Sequence, residues 1–144
     1  MKGCLFCDLK DKDDLSYVES YRFWDVRLSL EQHTLGCLIF VLREHKEGFS
    51  TIDEEEFLEL RKISEQYENI LRKKFGAVWF NHLITNNKVK HLHVHLIPRY
   101  DKSMTFAGKT FTDENYGNMV KQKHEKEDEN FLHLLKKAFA QKQD

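Results

Sequence analysis

The chain has 144 residues, 40% hydrophobic and 12% aromatic, with 23 Lys and Arg against 24 Asp and Glu for a formal charge of -1. That is enough chain for one well-buried core and too apolar a composition for a disordered segment. A near-neutral balance gives no global field to hold the chain on nucleic acid or an acidic membrane, and no stretch approaches the roughly 20 apolar residues of a membrane span. No nucleic-acid partner and no membrane partner are therefore expected.

The N-terminus, Met1-Lys2-Gly3-Cys4-Leu5-Phe6-Cys7-Asp8, turns polar too early for a signal peptide. Three cysteines, Cys4, Cys7 and Cys37, are an odd and low number, which argues for a reducing compartment and against disulfides. The cytoplasm is the expected location. No repeat and no Pro/Gly/Ser-rich linker interrupts the sequence, so one domain over residues 1–144 is expected.

In chain order, Arg22 to Leu28 and Gly36 to Leu42 read as strands rich in β-branched and aromatic residues, with the polar stretch Ser29 to Thr34 as a connecting turn. A long helix follows. Thr51 and Glu54 form a candidate capping box, and Asp53 to Glu56 suit a helix N-terminus. Phe57, Leu60, Ile63 or Ser64, Tyr67 and Ile70 with Leu71 recur at helical spacing, and Gly76 is a candidate C-terminal cap.

Two further strands are predicted over Ala77 to Ile84 and His91 to Ile97, joined as an antiparallel hairpin by Thr85 to Lys90. Pro98, the single proline, is expected to end the second of them because it cannot donate to a ladder. Residues 101–120 read as irregular, with turns at Gly108 and Gly117. Phe131, Leu134, Leu135, Ala138 and Phe139 mark a final amphipathic helix. The sum is an α+β domain: an antiparallel sheet with one long helix and a C-terminal helix.

The chemistry concentrates in His91-Leu92-His93-Val94-His95-Leu96-Ile97-Pro98-Arg99-Tyr100. Side chains alternate along a strand, so His91, His93 and His95 share one face at intervals of about 6.6 Å while Leu92, Val94 and Leu96 enter the core. Neutral imidazole is nucleophilic near neutral pH and can attack phosphorus, splitting one displacement into two through a covalent intermediate. Charge developing on the phosphoryl oxygens needs donors, for which a protonated His95 or loop amides are candidates. Alternating histidines are equally at home as zinc ligands. A row of chance surface histidines and a row of core histidines are the remaining readings, the latter expensive to bury. Cys4-Leu5-Phe6-Cys7 is a Cys-x-x-Cys pair, half of a zinc site. His82, His124 and His133 read as ordinary surface or edge residues, and Trp24 and Trp79 as core.

His91-Leu-His93-Val-His95-Leu-Ile, followed by Pro98-Arg99-Tyr100, resembles the motif of the histidine triad (HIT) superfamily, His-φ-His-φ-His-φ-φ with φ apolar. Asn81, Asn86 and Asn87 precede the motif where relatives carry an Asn- or Gly-rich loop. Phe106-Ala107-Gly108 through Phe111 and Gly117 resembles a segment of one prokaryotic branch. The similarity spans about Cys4 to Gly117, leaving 118–144 as a C-terminal irregular segment and helix.

The resemblance implies a HIT-like fold, a homodimer and a nucleotide substrate, such as the dinucleoside polyphosphates of diadenosine polyphosphate hydrolases or a nucleoside phosphoramidate. It implies His93 as nucleophile, His95 against the transferring phosphate and His91 as support, with Asn87 near the phosphate. It further implies a structural zinc on Cys4, Cys7, His45 and His91, and no organic cofactor. Three features depart from the pattern. A second-strand Gly-His pair reads Gly36-Cys37, the Asp or Asn that holds ribose hydroxyls reads Ser29, and a Gly-Gln pair in the phosphate loop is missing. Those departures keep open a nucleotide-binding module without catalysis, and the alternation of the histidines keeps open a metal-dependent hydrolase with zinc on the row.

Overall fold

The computed structural model describes residues 3–9 and 14–140. Met1 and Lys2 of the N-terminal reading and the last four residues of the 118–144 segment lie outside these. The elements are α1 (Leu5–Asp8), β1 (Tyr17–Ser20), β2 (Trp24–Leu28), β3 (Leu38–Leu42), a 3-10 turn at Phe49–Thr51, α2 (Glu54–Phe75), β4 (Trp79–Leu83), β5 (His93–Arg99), β6 (Met104–Phe106), β7 (Lys109–Phe111) and α3 (Glu129–Ala140). The five longer-range strands form one antiparallel sheet in the order β1-β2-β3-β5-β4, and β6 pairs with β7 alone.

The expected α+β architecture is what the chain adopts. The helix α2 turns Leu60, Ile63, Tyr67, Ile70, Leu71 and Phe75 onto one face of the sheet. There they meet alternate residues of three strands: Trp24, Val26 and Leu28, then Leu38, Phe40 and Leu42, then Val94 and Leu96. Burial of these apolar side chains is the main force holding helix to sheet. Two hydrogen bonds set the helix start. Glu56 accepts from the Asp53 amide at 2.8 Å, and the Trp24 indole donates to the Glu56 carbonyl at 2.8 Å. Gly76 closes the helix in a left-handed conformation (φ 80°) that an L side chain rarely adopts. Gly36 (φ 94°) lies so close to α2 that an added Cβ would stand 2.5 Å from Leu71 Cδ2.

Several local expectations are corrected. The α2 cap is Asp53 with Glu56, because Thr51 is used in the preceding 3-10 turn. Phe57, placed on the helix stripe, is 48% exposed. Pro98 does not end its strand but sits inside β5, opposite Phe80. Leu42 N donates to the Leu92 carbonyl, so even-numbered backbone groups of this strand face β3, and that pairing has ended at Leu38–Leu96 before Pro98 is reached. No ladder partner asks for the missing N–H, and the Thr34 hydroxyl donates to the Pro98 carbonyl at 2.6 Å.

Residues 101–120 hold the β6–β7 hairpin, turned by Ala107 (φ 50°) and Gly108 (φ 79°), a two-residue loop with both central φ angles positive. Trp24 is fully buried as expected, but Trp79 is 64% exposed at the edge strand β4. In α3 the buried residues are Phe131, Leu132, Leu135 and Phe139, and Leu134 faces out. The strand β1 carried too short a pattern to be read from sequence.

Candidate functional site

The sheet face opposite α2 carries Asp25 and Arg27 of β2, Ile39 and Val41 of β3, and His93, His95, Ile97 and Arg99 of β5. His91 lies two residues before β5 starts, not within it, because its amide neighbour Leu92 bonds to the Lys46 carbonyl instead of a strand. The three imidazoles nevertheless stay in a row. The His93 and His95 rings are 5.1 Å apart, centroid to centroid, at 70°.

Carbonyl partners fix the tautomers of the first two rings. His91 Nε2 is 2.6 Å from the Leu42 carbonyl and His93 Nδ1 is 2.7 Å from the His91 carbonyl. A carbonyl only accepts, so both nitrogens carry protons. The lone pair of His91 is therefore on Nδ1 and that of His93 on Nε2. Burial pushes the His93 pKa below its ordinary value, opposed by the bond to the His91 carbonyl, so the ring favours its neutral, nucleophilic form. His95 is pushed down to about 4, by burial first and then by the neighbouring His93 and His33. At neutral pH the free protein thus holds a neutral His95, not the protonated form that was one of the two candidate donors.

Cys4, Cys7, His45 and His91 bring one ligand atom each to within 4.8 Å of one another, a group that could hold a metal ion. Cys4 Sγ and Cys7 Sγ lie 3.4 and 3.5 Å from His91 Nδ1, Cys7 Sγ is 3.3 Å from His45 Nδ1, and the two Nδ1 atoms are 3.1 Å apart. A tetrahedron with metal–sulfur bonds of about 2.3 Å and metal–nitrogen bonds of about 2.0 Å has edges of about 3.3–3.8 Å, and these four edges lie close to that range. The orientation fits too. His91 Nε2–H is held by the Leu42 carbonyl, and the otherwise unpartnered, buried His45 Nε2 looks toward Glu47 Oε1 at 3.9 Å.

Past His95 the same face is apolar. Cys37, Ile97 and Val120 form a buried cluster with Leu83 packed against it. The thiol of Cys37 donates to the Thr34 carbonyl, and burial pushes its pKa up, so it stays protonated. Beyond it Arg99, buried, makes a bidentate pair with Asp113 (2.7 and 2.9 Å) and also bonds Asn81 and the carbonyls of Asn115 and Asn118. This pins the 113–120 segment across the sheet.

The other expected site residues are placed as follows. Ser29 is buried and its hydroxyl donates to the Glu31 carbonyl at 2.7 Å. Asn87 is exposed in the loop before the row, and among the described residues no hydrogen bond joins it to the histidines. His82 bonds Ser64, while His124 and His133 are exposed. Two residues of the site escaped the sequence reading. Phe6 lies 4.9 Å from the His93 ring and 5.7 Å from the His91 ring. Arg99 follows the motif with nothing local to announce its five hydrogen bonds.

Imidazoles in a row on the sheet face opposite α2, with two cysteines and two histidines gathered at one end, define an α+β protein with a histidine site on its five-stranded antiparallel sheet. The family model for the HIT domain matches residues 26–102, and the chain belongs to that family. No curated protein is similar enough to count as a match. Among solved structures, the chain is similar to a hypothetical histidine triad nucleotide-binding protein of Sulfolobus tokodaii, with TM-score 0.75, 20% identity, and 95% of this chain and 89% of that one covered. A Zn-bound histidine triad family protein of Mycobacterium smegmatis gives TM-score 0.63 and 18% identity over 96% and 94% of the two chains. Plasmodium falciparum diadenosine triphosphate hydrolase gives 0.57 and 17% over 65% and 67%. No helix of the described residues is long and apolar enough to cross a membrane.

Proposed function

We propose that the chain is a single-domain nucleotide hydrolase or transferase that cleaves a phosphoanhydride or phosphoramidate bond through a nucleotidyl intermediate on His93. The observation that carries this reading is the 2.7 Å bond from His93 Nδ1 to the His91 carbonyl, which leaves the Nε2 lone pair free for phosphorus. Nε2 forms the N–P bond as the bond to the leaving phosphate or amine breaks and its electron pair departs with the leaving group, a departing amine taking up a proton from solvent. Water then attacks the same phosphorus and gives up a proton to solvent, the N–P bond breaks, and its electrons return to Nε2. The neutral His95 is a hydrogen-bond donor to a phosphoryl oxygen, and Asn87 and Ser29 are proposed against phosphate and ribose. Family membership supports a nucleotide ligand, as do the names of the Sulfolobus and Plasmodium relatives for those proteins.

Zinc is the metal proposed for Cys4, Cys7, His45 and His91. Four protein ligands leave no open position, so it would fasten the N-terminus and supply no chemistry. Against a metal on the histidine row itself stands the commitment of the His91 Nδ1 lone pair to the Cys4, Cys7 and His45 group, which leaves the row only His93 and His95 to offer. The engaged hydroxyl of Ser29 and the apolar setting of Cys37 favour a second reading, nucleotide binding without turnover. Reduced cysteines as ligands fit the cytoplasm. A homodimer is proposed through the free sheet edge at β4, where Trp79 lies exposed.

Intact-protein mass spectrometry after brief incubation with an adenosine phosphoramidate or diadenosine tetraphosphate, quenched at alkaline pH, tests the reading. An added nucleoside monophosphate that vanishes in His93→Ala is expected. Tight nucleotide binding by calorimetry with neither adduct nor product would replace it with the binding module.

A further inference from the structure

We infer that the Cys4, Cys7, His45 and His91 cluster is more than a fastening: with zinc seated, it positions the His93 ring through Phe6 and the His91 carbonyl. The inference rests on His93 being the reacting group.

Two routes run from the cluster to that ring. The first is the side chain of Phe6. It belongs to α1, a helix of four residues with no buried residue, which cannot hold a fixed place by core packing. What ties α1 down is Cys4 and Cys7 against His45 and His91, together with the Leu9 carbonyl, which accepts from Arg27 at 2.9 Å. Phe6, set between the two cysteines, reaches the His93 ring at 4.9 Å and the His91 ring at 5.7 Å. A metal that gathers both sulfurs therefore also decides where the Phe6 ring stands.

The second route is main chain. His91 gives Nδ1 to the cluster and Nε2–H to the Leu42 carbonyl, so both ends of its ring are held once a metal is bound. Its own carbonyl accepts the His93 Nδ1 proton. A displacement of His91 moves that acceptor and with it the preference for a free Nε2. Reaction at phosphorus is sensitive to such shifts, since about 1 Å of misplacement can cost about a hundredfold in rate. Phe6 and His91 are positioning residues here, and the metal touches no reacting atom.

The test uses full-length protein with ¹⁵N-labelled histidine at neutral pH, without substrate. Zinc-loaded wild type is compared with chelated protein, the Cys4→Ser/Cys7→Ser double variant, Phe6→Ala and Phe6→Tyr. Circular dichroism and thermal melts check that the fold survives. Zinc-loaded protein is expected to give two well-separated His93 ring nitrogen signals, one protonated (Nδ1) and one not (Nε2). In the chelated, double-serine and Phe6→Ala proteins the two signals move together as tautomers exchange, although Phe6→Ala keeps its zinc, and Phe6→Tyr restores the separation. Adduct formation is expected to slow about tenfold with KM little changed, the size usual for lost outer-shell support. His93 signals that are the same with and without zinc overturn the inference, as does a Phe6→Ala effect confined to KM. Because the ring signals are read without turnover, a protein that hydrolyses nothing would fail the functional reading and still answer this one.

Discussion

The two ends of the histidine row could hardly differ more, although one strand alternation generates both. At the His91 end, two sulfurs and two imidazole nitrogens converge within 4.8 Å, and every ring nitrogen of His91 has a partner. At the other end Ile97 continues the same face into a closed apolar cluster with Cys37 and Val120, locked by Arg99 and Asp113. His93 and His95 stand at the boundary, buried enough to stay neutral and supported from one side by polar groups. Alternation thus sets which residues share a face, and the elements laid over that face set what each can do. The proposed nucleophilic role of His93 draws on this asymmetry: a held, neutral imidazole beside an apolar wall.

The largest expected effect breaks the boundary itself. His93→Ala should lower turnover by about four orders of magnitude or more, above about 5 kcal/mol of transition-state stabilisation, with the fold retained by circular dichroism. Residual turnover within tenfold of wild type would remove His93 from the chemistry.

Unlocking the apolar end comes next. Asp113→Ala leaves the buried Arg99 charge without its carboxylate and should cost about 3–5 kcal/mol in denaturant unfolding, because the guanidinium keeps its desolvation cost and loses its partner. A loss under 1 kcal/mol would mean that the 113–120 segment is not pinned by this pair.

Making the two ends alike is a sharper test. Cys37→His installs a larger polar ring in the cluster of Ile97 and Val120 and should destabilise by about 1–3 kcal/mol without raising turnover. A gain in turnover would mean that the site can still use a second-strand histidine.

The smallest effect is on pH. His95 titrates near 4 in the folded protein against an ordinary value of 6.5, so between these values the unfolded chain binds more protons. Stability should therefore be lost as pH falls from about 6.5 toward about 4, at up to about 1.4 kcal/mol per pH unit from this group, and regained above. His33, His82 and His93 are lowered by burial and lean the same way. The informative quantity is thus the flattening produced by His95→Asn, measured in the Cys4→Ser/Cys7→Ser background so that metal release in acid does not contribute. An unflattened profile would place the His95 imidazole in water.

Local pattern carried a good part of the fold. The α2 helix was legible because apolar residues at helical spacing over about four turns have few other uses, and Gly76 after the last of them was legible as its cap. The β6–β7 hairpin was not, since three-residue strands are too short for periodicity, although Ala107-Gly108 between two Thr-containing runs was a readable turn signal. Trp79 and Leu134 were misjudged for a common reason. An apolar residue in a strand or helix has a face, but which face is covered depends on elements distant in sequence.

The sequence by itself determined that three imidazoles would share a face, that Cys4 and Cys7 are spaced as ligands, and that an antiparallel sheet would pack on one long helix. These follow from the repeat geometry of strand and helix and from residue chemistry. Only the tertiary structure decided how the histidines differ. It directs the Nδ1 atom of His91 to the two sulfurs, points the Nδ1–H of His93 at a carbonyl, keeps His95 neutral and seats Phe6 against the row. The Nδ1 placement of His91 and the seat of Phe6 bring together groups more than 80 positions apart, and the neutrality of His95 depends on how deeply its ring is buried; the His93 contact spans only two residues, but the ring orientation that makes it is not encoded by alternation.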